Sequence, residues 1–253
     1  MIVDYHRPAN LEEALQLLRQ TDLKNIPLAG GTAIDRYNKE DIGVVDLQDL
    51  GLNQIHDRGN TIELGATVVL QRLLDTPQVQ SEFKKAILHE ATYNLRQVAT
   101  LGGTLVSANG RSPFTTACLA LDATLVIAPE GARVALGEFL NLRNGFLNGR
   151  LITKIILPLR VDFRYDYVAR TPADLPIVCV GVVQWPSGRT RVALGGFGPT
   201  PKLAMDGPGN DGADIAAMNA YSQAGDQWAS ADYRQEIAGI LVRRCIDELS
   251  LLK

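Results

Sequence analysis

The sequence holds few of the residues that build a metal or disulfide scaffold. Only three cysteines occur in 253 residues, and Cys118, Cys179 and Cys245 lie far apart without a CxxC pair. This count and spacing argue against a disulfide framework, a zinc site or an iron–sulfur cluster held by this chain. Each cysteine stands in an apolar run, which predicts a buried thiol. The three histidines are scattered without ligand spacing, so no metal site is expected.

Charge of one sign and long apolar runs are also lacking. The 25 basic residues are balanced by 28 acidic ones, for a net charge of -3, so no basic surface for nucleic acid is expected. The first ten residues have neither the basic start nor the apolar run of a signal peptide. Apolar stretches such as 175–185 are too short to cross a bilayer. We therefore expect a cytoplasmic protein with neither a nucleic-acid partner nor a membrane span.

The common nucleotide-binding and hydrolase signatures are missing as well. The chain contains no GxGxxG and no GxxxxGKS/T motif, so neither a Rossmann site nor a P-loop is indicated. It also lacks a GxSxG motif with serine, histidine and aspartate in the order of a hydrolase triad. Any nucleotide would therefore have to be bound by another kind of loop.

The residues that are present allow a sizeable core, because 46% are hydrophobic and 21% are charged. Over the first 160 residues strand and helix patterns alternate, starting with a strand over 2–5 and a helix that Asn10 caps. Beyond residue 160, consecutive strand patterns are followed by a helix over 230–252. Its regular apolar stripe makes this last helix the clearest element of the sequence.

These patterns predict an α+β chain of two domains. The first domain covers residues 1–160 and consists of two small α/β subdomains at about 1–56 and 57–160. The second domain covers residues 161–253 and combines an antiparallel sheet with helices. The boundary lies near Arg160, where the alternating elements give way to the run of strands.

Two glycine pairs are the feature that points to a ligand. Each pair follows an apolar run and precedes a hydroxyl residue, in Ala29-Gly30-Gly31-Thr32 and in Thr100-Leu101-Gly102-Gly103-Thr104. Because glycine has no Cβ, a ligand can approach the backbone closely, and successive N–H groups can converge on an anion. Thr32 with Asp35 also has the pattern of a helix start, which would add a helix N-terminus.

Two such loops facing each other would suit a pyrophosphate. Neither loop contains a lysine, so the backbone alone would capture the anion. The alternative is that each glycine pair is simply a turn at the end of a strand, which is the commoner role of such a pair.

The order of the sequence blocks resembles a known family. EEALQLL, LAGGT, VVDLQDL, ELGATVVLQRLL, NLRQVATLGGTL and RVALGGFGPTPKLA follow one another as in the FAD-binding medium subunit of molybdenum-containing hydroxylases, the family of carbon monoxide dehydrogenase and xanthine dehydrogenase. The likeness covers nearly the whole chain. It implies a PCMH-like FAD-binding domain over the first 160 residues. It also implies that the C-terminal domain completes the flavin site and that both glycine loops hold the pyrophosphate.

The resemblance also implies a function in electron transfer. The molybdenum cofactor is expected in a large partner subunit and the [2Fe–2S] clusters in a small one. The flavin would pass electrons from those clusters to an acceptor such as NAD, a quinone or oxygen. No catalytic side chain is then expected in this chain, which would be one component of an oxidoreductase.

The family's cofactor contacts carry over most directly to the two glycine loops. The first loop matches at Ala29, Gly30, Gly31 and Thr32, and Ala33 stands where the family often has a polar residue. The second loop matches at Thr100, Gly102 and Gly103, and Thr104 replaces the usual asparagine.

The segment after the second loop departs further from the family pattern. Pro113 falls where the family tends to carry an aspartate that contacts the cofactor. Asn109 or Ser112 would then take the place of that aspartate in contacting the cofactor. Arg111 is expected either to reach a phosphate or to be a solvated loop cation.

Tyr165, Arg170 and Asp174 match a family pattern that runs beside the flavin ring. Tyr165 would shield one face of the ring and Asp174, which follows Arg170, would hydrogen-bond the flavin or ribityl group. Lys202 would approach the electron-rich edge of the flavin. The alternatives are an ordinary strand aromatic, a turn residue and a surface lysine.

Two other functions compete with the electron-transfer subunit. Ala33, Thr104 and Pro113 depart from the family pattern, as expected of a degenerate, flavin-free scaffolding subunit. A stand-alone flavin oxidoreductase is the third interpretation, and the lack of a second nucleotide motif argues against it.

Overall fold

The computed structural model describes residues 1–34 and 41–251. Asp35, predicted to form a helix start with Thr32, lies outside these described residues. The strands in chain order are β1 (Ile2–His6), β2 (Asn25–Leu28), β3 (Ile42–Asp46), β4 (Ile55–Asp57), β5 (Thr61–Gly65), β6 (Thr124–Ala128), β7 (Ala132–Ala135), β8 (Leu151–Pro158), β9 (Asp162–Val168), β10 (Val178–Gln184), β11 (Thr190–Gly195) and β12 (Lys202–Gly207). The helices are α1 (Leu11–Leu18), α2 (Leu70–Leu74), α3 (Ser81–Glu90), α4 (Tyr93–Arg96), α5 (Leu101–Ser107), α6 (Pro113–Ala120), α7 (Leu136–Phe146), α8 (Ala213–Ala220) and α9 (Ala231–Ser250).

The first sheet is a three-stranded parallel sheet in the order β1-β3-β2. Helix α1 connects β1 to β2, as the alternation of patterns predicts. The Asn10 side chain caps this helix by accepting a hydrogen bond from Glu13 N at 2.9 Å. Ala14 and Leu15 of α1 then pack with Val45 of β3 in one apolar cluster, which fixes the helix on the sheet.

The second sheet has five strands in the order β4-β5-β8-β6-β7. Strands β6 and β7 form an antiparallel hairpin. Alternating residues of β5 are buried, with Ile62 and Leu64 facing inward, which is the pattern of a half-covered sheet. Helix α7, which the sequence analysis did not predict, follows β7 directly.

The third sheet is antiparallel, in the order β12-β11-β10-β9. Every residue of β10 is buried. Val178 and Val180 pack with Leu241 and Val242 of α9, while Cys179 lies beside Thr116 of α6. Because helices cover β10 in this way, its sequence has no polar side chain before its last residue, Gln184, and does not alternate.

A partly exposed glutamate fixes the start of α6. Ser112 caps the helix by accepting from Thr115 N, and Pro113 occupies its first turn, as the Ser-Pro sequence predicts. Glu90 of α3 accepts from Ser112 Oγ at 2.7 Å and from Phe114 N at 3.0 Å. Although the residue as a whole is partly exposed, its carboxyl group is buried, and this burial raises its pKa.

The chain divides into two compact units, each made of several segments. The first unit comprises Met1–Asp75, Tyr93–Ser107 and Thr124–Ile156. The second comprises Thr76–Thr92, Ala108–Ala123 and Leu157–Lys253. The second unit therefore includes α3 and α6, which precede the predicted boundary near Arg160, because these helices pack on β9, β10 and β11.

Several expectations about the elements have a clear outcome. The α+β class and the long C-terminal helix are confirmed, with Ser230 as the cap of α9. All three cysteines are free and buried, as predicted. Strands β4 and β12 and helices α4 and α5 were not predicted. No helix among the described residues is long and apolar enough to cross a membrane.

Candidate functional site

Both glycine pairs line one cavity within the first compact unit. The cavity has a volume of about 210 Å³. Most of its lining residues fall within three segments, 26–34, 100–107 and 147–152, not all of whose residues reach the cavity. These segments are β2 with the turn after it, the region of α5 and the stretch that leads into β8. The sequence predicted that the two pairs face one ligand, and the fold brings them to one cavity.

The first pair provides unused backbone donors at the end of β2. Ala29, Gly30, Gly31, Thr32 and Ala33 all line the cavity. Gly31 has φ +70°, a conformation that glycine adopts without strain. Within residues 1–34 and 41–251, the N–H groups of Gly30, Gly31 and Thr32 donate to no acceptor. Because these three amides bond to no described protein group, this turn has donors to offer a ligand.

Gly30 has a second reason to be glycine. A Cβ built on Gly30 would overlap the carbonyl oxygen of Val98. The turn after β2 therefore packs directly on the backbone that precedes α5. This close approach joins the two walls of the cavity, and any larger residue would push them apart.

The second pair does not form a loop, which corrects the sequence prediction. Gly102 and Gly103 lie in the first turn of α5. Gly102 N donates to Ala66 O at 2.9 Å, and Gly103 N donates to Thr100 Oγ1 at 3.2 Å. Both amides are thus already used inside the protein. The structure gives these amides no free donor for an anion, and their contact with a cofactor stays a prediction.

The second pair instead provides room. A Cβ on Gly102 would lie 3.0 Å from Ala66 Cβ and 3.1 Å from Ala66 O, which is tighter than ordinary van der Waals contact. The small residues Gly102 and Ala66 therefore let α5 pack closely against the end of β5. Thr100 is 5% exposed and also lines it.

Thr104 takes no part in the cavity. Its side chain donates to Thr100 O at 2.9 Å, and its N–H donates to the same carbonyl at 2.9 Å. The residue is 9% exposed and is not among the lining residues. Both of its donors are thus used by Thr100 O, and its contact with a cofactor stays a prediction.

Arg150 is a lining residue that the sequence analysis missed. It precedes β8 and brings a cation to a cavity whose other described lining residues are uncharged. Its Nη2 lies 3.8 Å from Glu130 Oε1, and its guanidinium lies 5.2 Å from the centre of the Phe146 ring. Arg150 belongs to neither glycine segment and is far from Gly30 in the sequence, so no local motif marks it as a lining residue.

Asn109 and Arg111, predicted to contact the cofactor, lie in the second unit with local partners. Asn109 Oδ1 accepts from Arg111 N at 2.8 Å. The Arg111 guanidinium donates to Pro176 O and to Leu175 O, at 3.1 and 2.5 Å, and stacks on Trp228 at 4.7 Å. Burial, with Arg234 and Arg170 nearby, lowers its pKa. Arg111 is therefore not the solvated loop cation of the alternative interpretation.

Tyr165, Asp174 and Lys202 also belong to the second unit. Tyr165 is 4% exposed and its ring stacks on Tyr167 at 6.0 Å; burial raises its pKa well above the usual value. Asp174 Oδ2 lies 3.4 Å from Arg170 Nε. Lys202 is exposed, and its Nζ donates to Ala220 O at 3.4 Å. Their contacts with a flavin stay predictions.

Comparison with known protein families identifies the first domain. Residues 1–160 match the model described as the FAD binding domain in molybdopterin dehydrogenase. The chain belongs to this family. It is 27% identical over 277 residues to the carbon monoxide dehydrogenase medium chain of Afipia carboxidovorans, over 96% of this chain and 95% of that protein. It is also 27% identical over 255 residues to YgfM, an uncharacterised protein of Escherichia coli, over 96% and 94% of the two chains.

A solved structure agrees with the family assignment. The fold matches a chain of the reconstituted CO dehydrogenase from Oligotropha carboxidovorans with a TM-score of 0.81 and 25% identity, over 96% of both chains. The predicted resemblance is thereby confirmed, with FAD as the cofactor of the family. The chain is a component of an oxidoreductase.

The cavity of the first unit fits a phosphate-bearing part of FAD. Among the described residues, the N–H groups of Gly30, Gly31 and Thr32 have no acceptor, and Arg150 adds a guanidinium. Both kinds of donor suit an anion. Its volume of about 210 Å³ is below the roughly 300–1,000 Å³ usual for pockets that enclose a drug-sized ligand. The cavity therefore suits one portion of the cofactor rather than the whole molecule.

Proposed function

We propose that this chain is the FAD-binding electron-transfer subunit of a molybdenum hydroxylase. The observation that carries the proposal is the single cavity lined by both glycine segments, within the domain that matches the family model. When bound, FAD supplies a group that takes up and releases electrons. The chain's own residues bind and orient it. The Gly30–Thr32 turn donates N–H groups, and Gly102 lets α5 pack against Ala66 as a wall of the cavity.

The chain's partners are inferred from its relatives and its composition. A relative is named as the medium chain of carbon monoxide dehydrogenase, and a medium chain implies a larger assembly. We infer a molybdopterin-binding large subunit and a small subunit that holds [2Fe–2S] clusters. The three cysteines of this chain are buried and far apart in sequence, which supports clusters held elsewhere. The acceptor that takes the electrons, such as NAD, a quinone or oxygen, follows from the resemblance alone.

Titration of the purified full chain with FAD tests the first part of this proposal. We expect saturable binding with a Kd of about 1 μM or tighter, or about -8 kcal/mol, measured by isothermal titration. Riboflavin, which lacks the phosphates and the adenosine, is the matched control ligand and should bind more weakly. Failure to bind FAD, both alone and after assembly with the large and small subunits, would count against a flavoprotein.

One observation favours a flavin-free scaffolding subunit as the second candidate. The amides of Gly102 and Gly103 are already used, so half of the predicted backbone donors are unavailable. A scaffold would assemble with its partners into a complex that lacks flavin absorbance. Oxidation of NADH by the chain alone, with added FAD, would instead support a stand-alone flavin oxidoreductase.

A further inference from the structure

Arg150 is held at the wall of the cavity by a tight turn. Its N–H donates to Leu147 O at 3.0 Å, and the preceding residue, Gly149, has φ +66°. The next residue, Leu151, begins β8 and is 4% exposed. Because backbone on both sides is fixed by a turn and by a buried strand, the position of the Arg150 Cα is determined by the fold.

The Arg150 side chain has few partners in the protein. The distance of 3.8 Å to Glu130 Oε1 exceeds that of a hydrogen bond, and Glu130 is 55% exposed. The Phe146 ring lies 5.2 Å from the guanidinium, a distance at which a cation is attracted to an aromatic face. Within the described part of the chain, the guanidinium has no hydrogen-bond acceptor, so its five N–H donors stay available.

The charge of the described cavity wall is positive. Among its described lining residues, Arg150 is the one charged side chain, and none is acidic. The amides of Gly30, Gly31 and Thr32 add only partial positive charge. An anion in this cavity would therefore face one full positive charge without a competing carboxylate in the lining.

We infer that Arg150 binds the phosphate-bearing part of the cofactor, and supplies the charge that neither glycine pair contains. This inference rests on the proposed binding of FAD in the cavity. A guanidinium offers parallel N–H donors that match two phosphate oxygens, and it stays charged when partly buried. The Phe146 ring orients the guanidinium before the ligand arrives.

Isothermal titration of the full chain with ADP, adenosine and FAD tests the role of Arg150. We expect Arg150→Gln to weaken the binding of ADP and FAD by about 10- to 100-fold, the loss typical of a hydrogen bond to a charged group. The affinity for adenosine, which lacks phosphate, should stay unchanged. Arg150→Lys keeps the charge without the paired donors, so it should lose less. Arg133→Gln, at an exposed position of β7 in the same unit, is the matched control and should bind like the wild type.

Two further measurements separate a charge contact from a general disturbance. Added NaCl should weaken ADP binding more steeply in the wild type than in Arg150→Gln, because salt screens the charge. Glu130→Gln removes the carboxylate beside the guanidinium and should strengthen ADP binding several-fold at low salt. Because Glu130→Gln keeps Arg150 in place, this result does not depend on whether Arg150→Gln folds.

The possible outcomes distinguish this inference from the proposed function. If the wild type binds FAD and Arg150→Gln binds ADP equally well, the role of Arg150 is refuted while the flavoprotein stands. Equal losses for ADP and adenosine would also refute it, since they would indicate a distorted cavity. If the wild type binds neither FAD nor ADP, the proposed function fails and the inference fails with it.

Discussion

Replacing Gly30 by alanine tests whether the two walls of the cavity meet where the structure places them. Gly30 does not have a positive φ, so alanine can adopt its backbone conformation. The added Cβ, however, would overlap the carbonyl oxygen of Val98. The substitution thus adds one methyl group at a point where two backbone segments touch, without introducing backbone strain of its own.

The stability that Gly30→Ala costs depends on whether the Val98 backbone can move. Val98 N donates to Leu95 O at 3.1 Å, and the next residue, Ala99, donates to the same carbonyl at 2.7 Å. Ala99 O in turn accepts from Leu70 N at 2.9 Å. Overpacking typically costs about 1–3 kcal/mol, and a backbone obstacle held on both sides favours the upper end. The lower entropy of an unfolded chain with alanine offsets about 0.4–1 kcal/mol. We therefore expect a net loss of about 2 kcal/mol.

Urea unfolding of Gly30→Ala and wild type, followed by circular dichroism, measures this loss. Gly209→Ala is the control, because a Cβ at Gly209 meets nothing within 4 Å and its φ is not positive; it should be neutral or slightly stabilising. Gly30→Ala should also bind FAD more weakly, because its wall of the cavity moves. A free energy of unfolding within about 0.5 kcal/mol of wild type would show that Gly30 does not touch Val98 as described.

Three further predictions concern buried polar groups. Arg234 is fully buried and donates to carbonyls and to a carboxylate of the second unit. Arg234→Met should therefore lower the free energy of unfolding, measured in urea, by about 3–5 kcal/mol. A loss below about 1 kcal/mol would contradict this expectation. Burial raises the pKa of the Glu90 carboxyl, so the folded protein holds this proton more tightly, and stability should fall as pH rises above about 4.3. Glu90→Gln should remove that part of the pH dependence, and parallel urea profiles of the two proteins between pH 4.5 and 8 would refute the assignment. Burial raises the pKa of Cys179 to about 12, and all three thiols are buried. A thiol reagent at pH 8 should therefore label none of them in the native state and all of them in urea; fast native labelling would show that a thiol is exposed.

Much of the fold follows from local patterns, but the grouping of the segments does not. The cap at Asn10, the Ser112-Pro113 start of α6 and the stripe of α9 each act over a few residues, and the structure contains all three. By contrast, α3 and α6 pack on the sheet of the second unit. Both helices are separated from that sheet by tens of residues, so no periodicity of their own sequence indicates where they pack. A single boundary near Arg160 therefore cannot reproduce the two compact units, each of which is made of several segments.

The candidate site was only partly predictable for a related reason. Glycine pairs are visible in sequence, and both lie at the same cavity. Which of their N–H groups are free depends on partners such as Ala66, which lies far from Gly102 in the chain. The place of Arg150 in the cavity wall could not be predicted either, because only the fold brings it to the cavity that residues 29–33 line.

The departures from the family pattern now carry different weight in choosing between a flavoprotein and a scaffold. Thr104 replaces an asparagine, but its hydroxyl and its N–H both bond to Thr100 O, so this position supports α5 instead of facing the cavity. Pro113 occupies the first turn of a capped helix, where proline stabilises the helix start. Neither substitution therefore removes a donor from the cavity. Ala33 alone lines it, and a backbone N–H survives any change of side chain there, so the argument for a flavin-free scaffold is weaker in the structure than in the sequence.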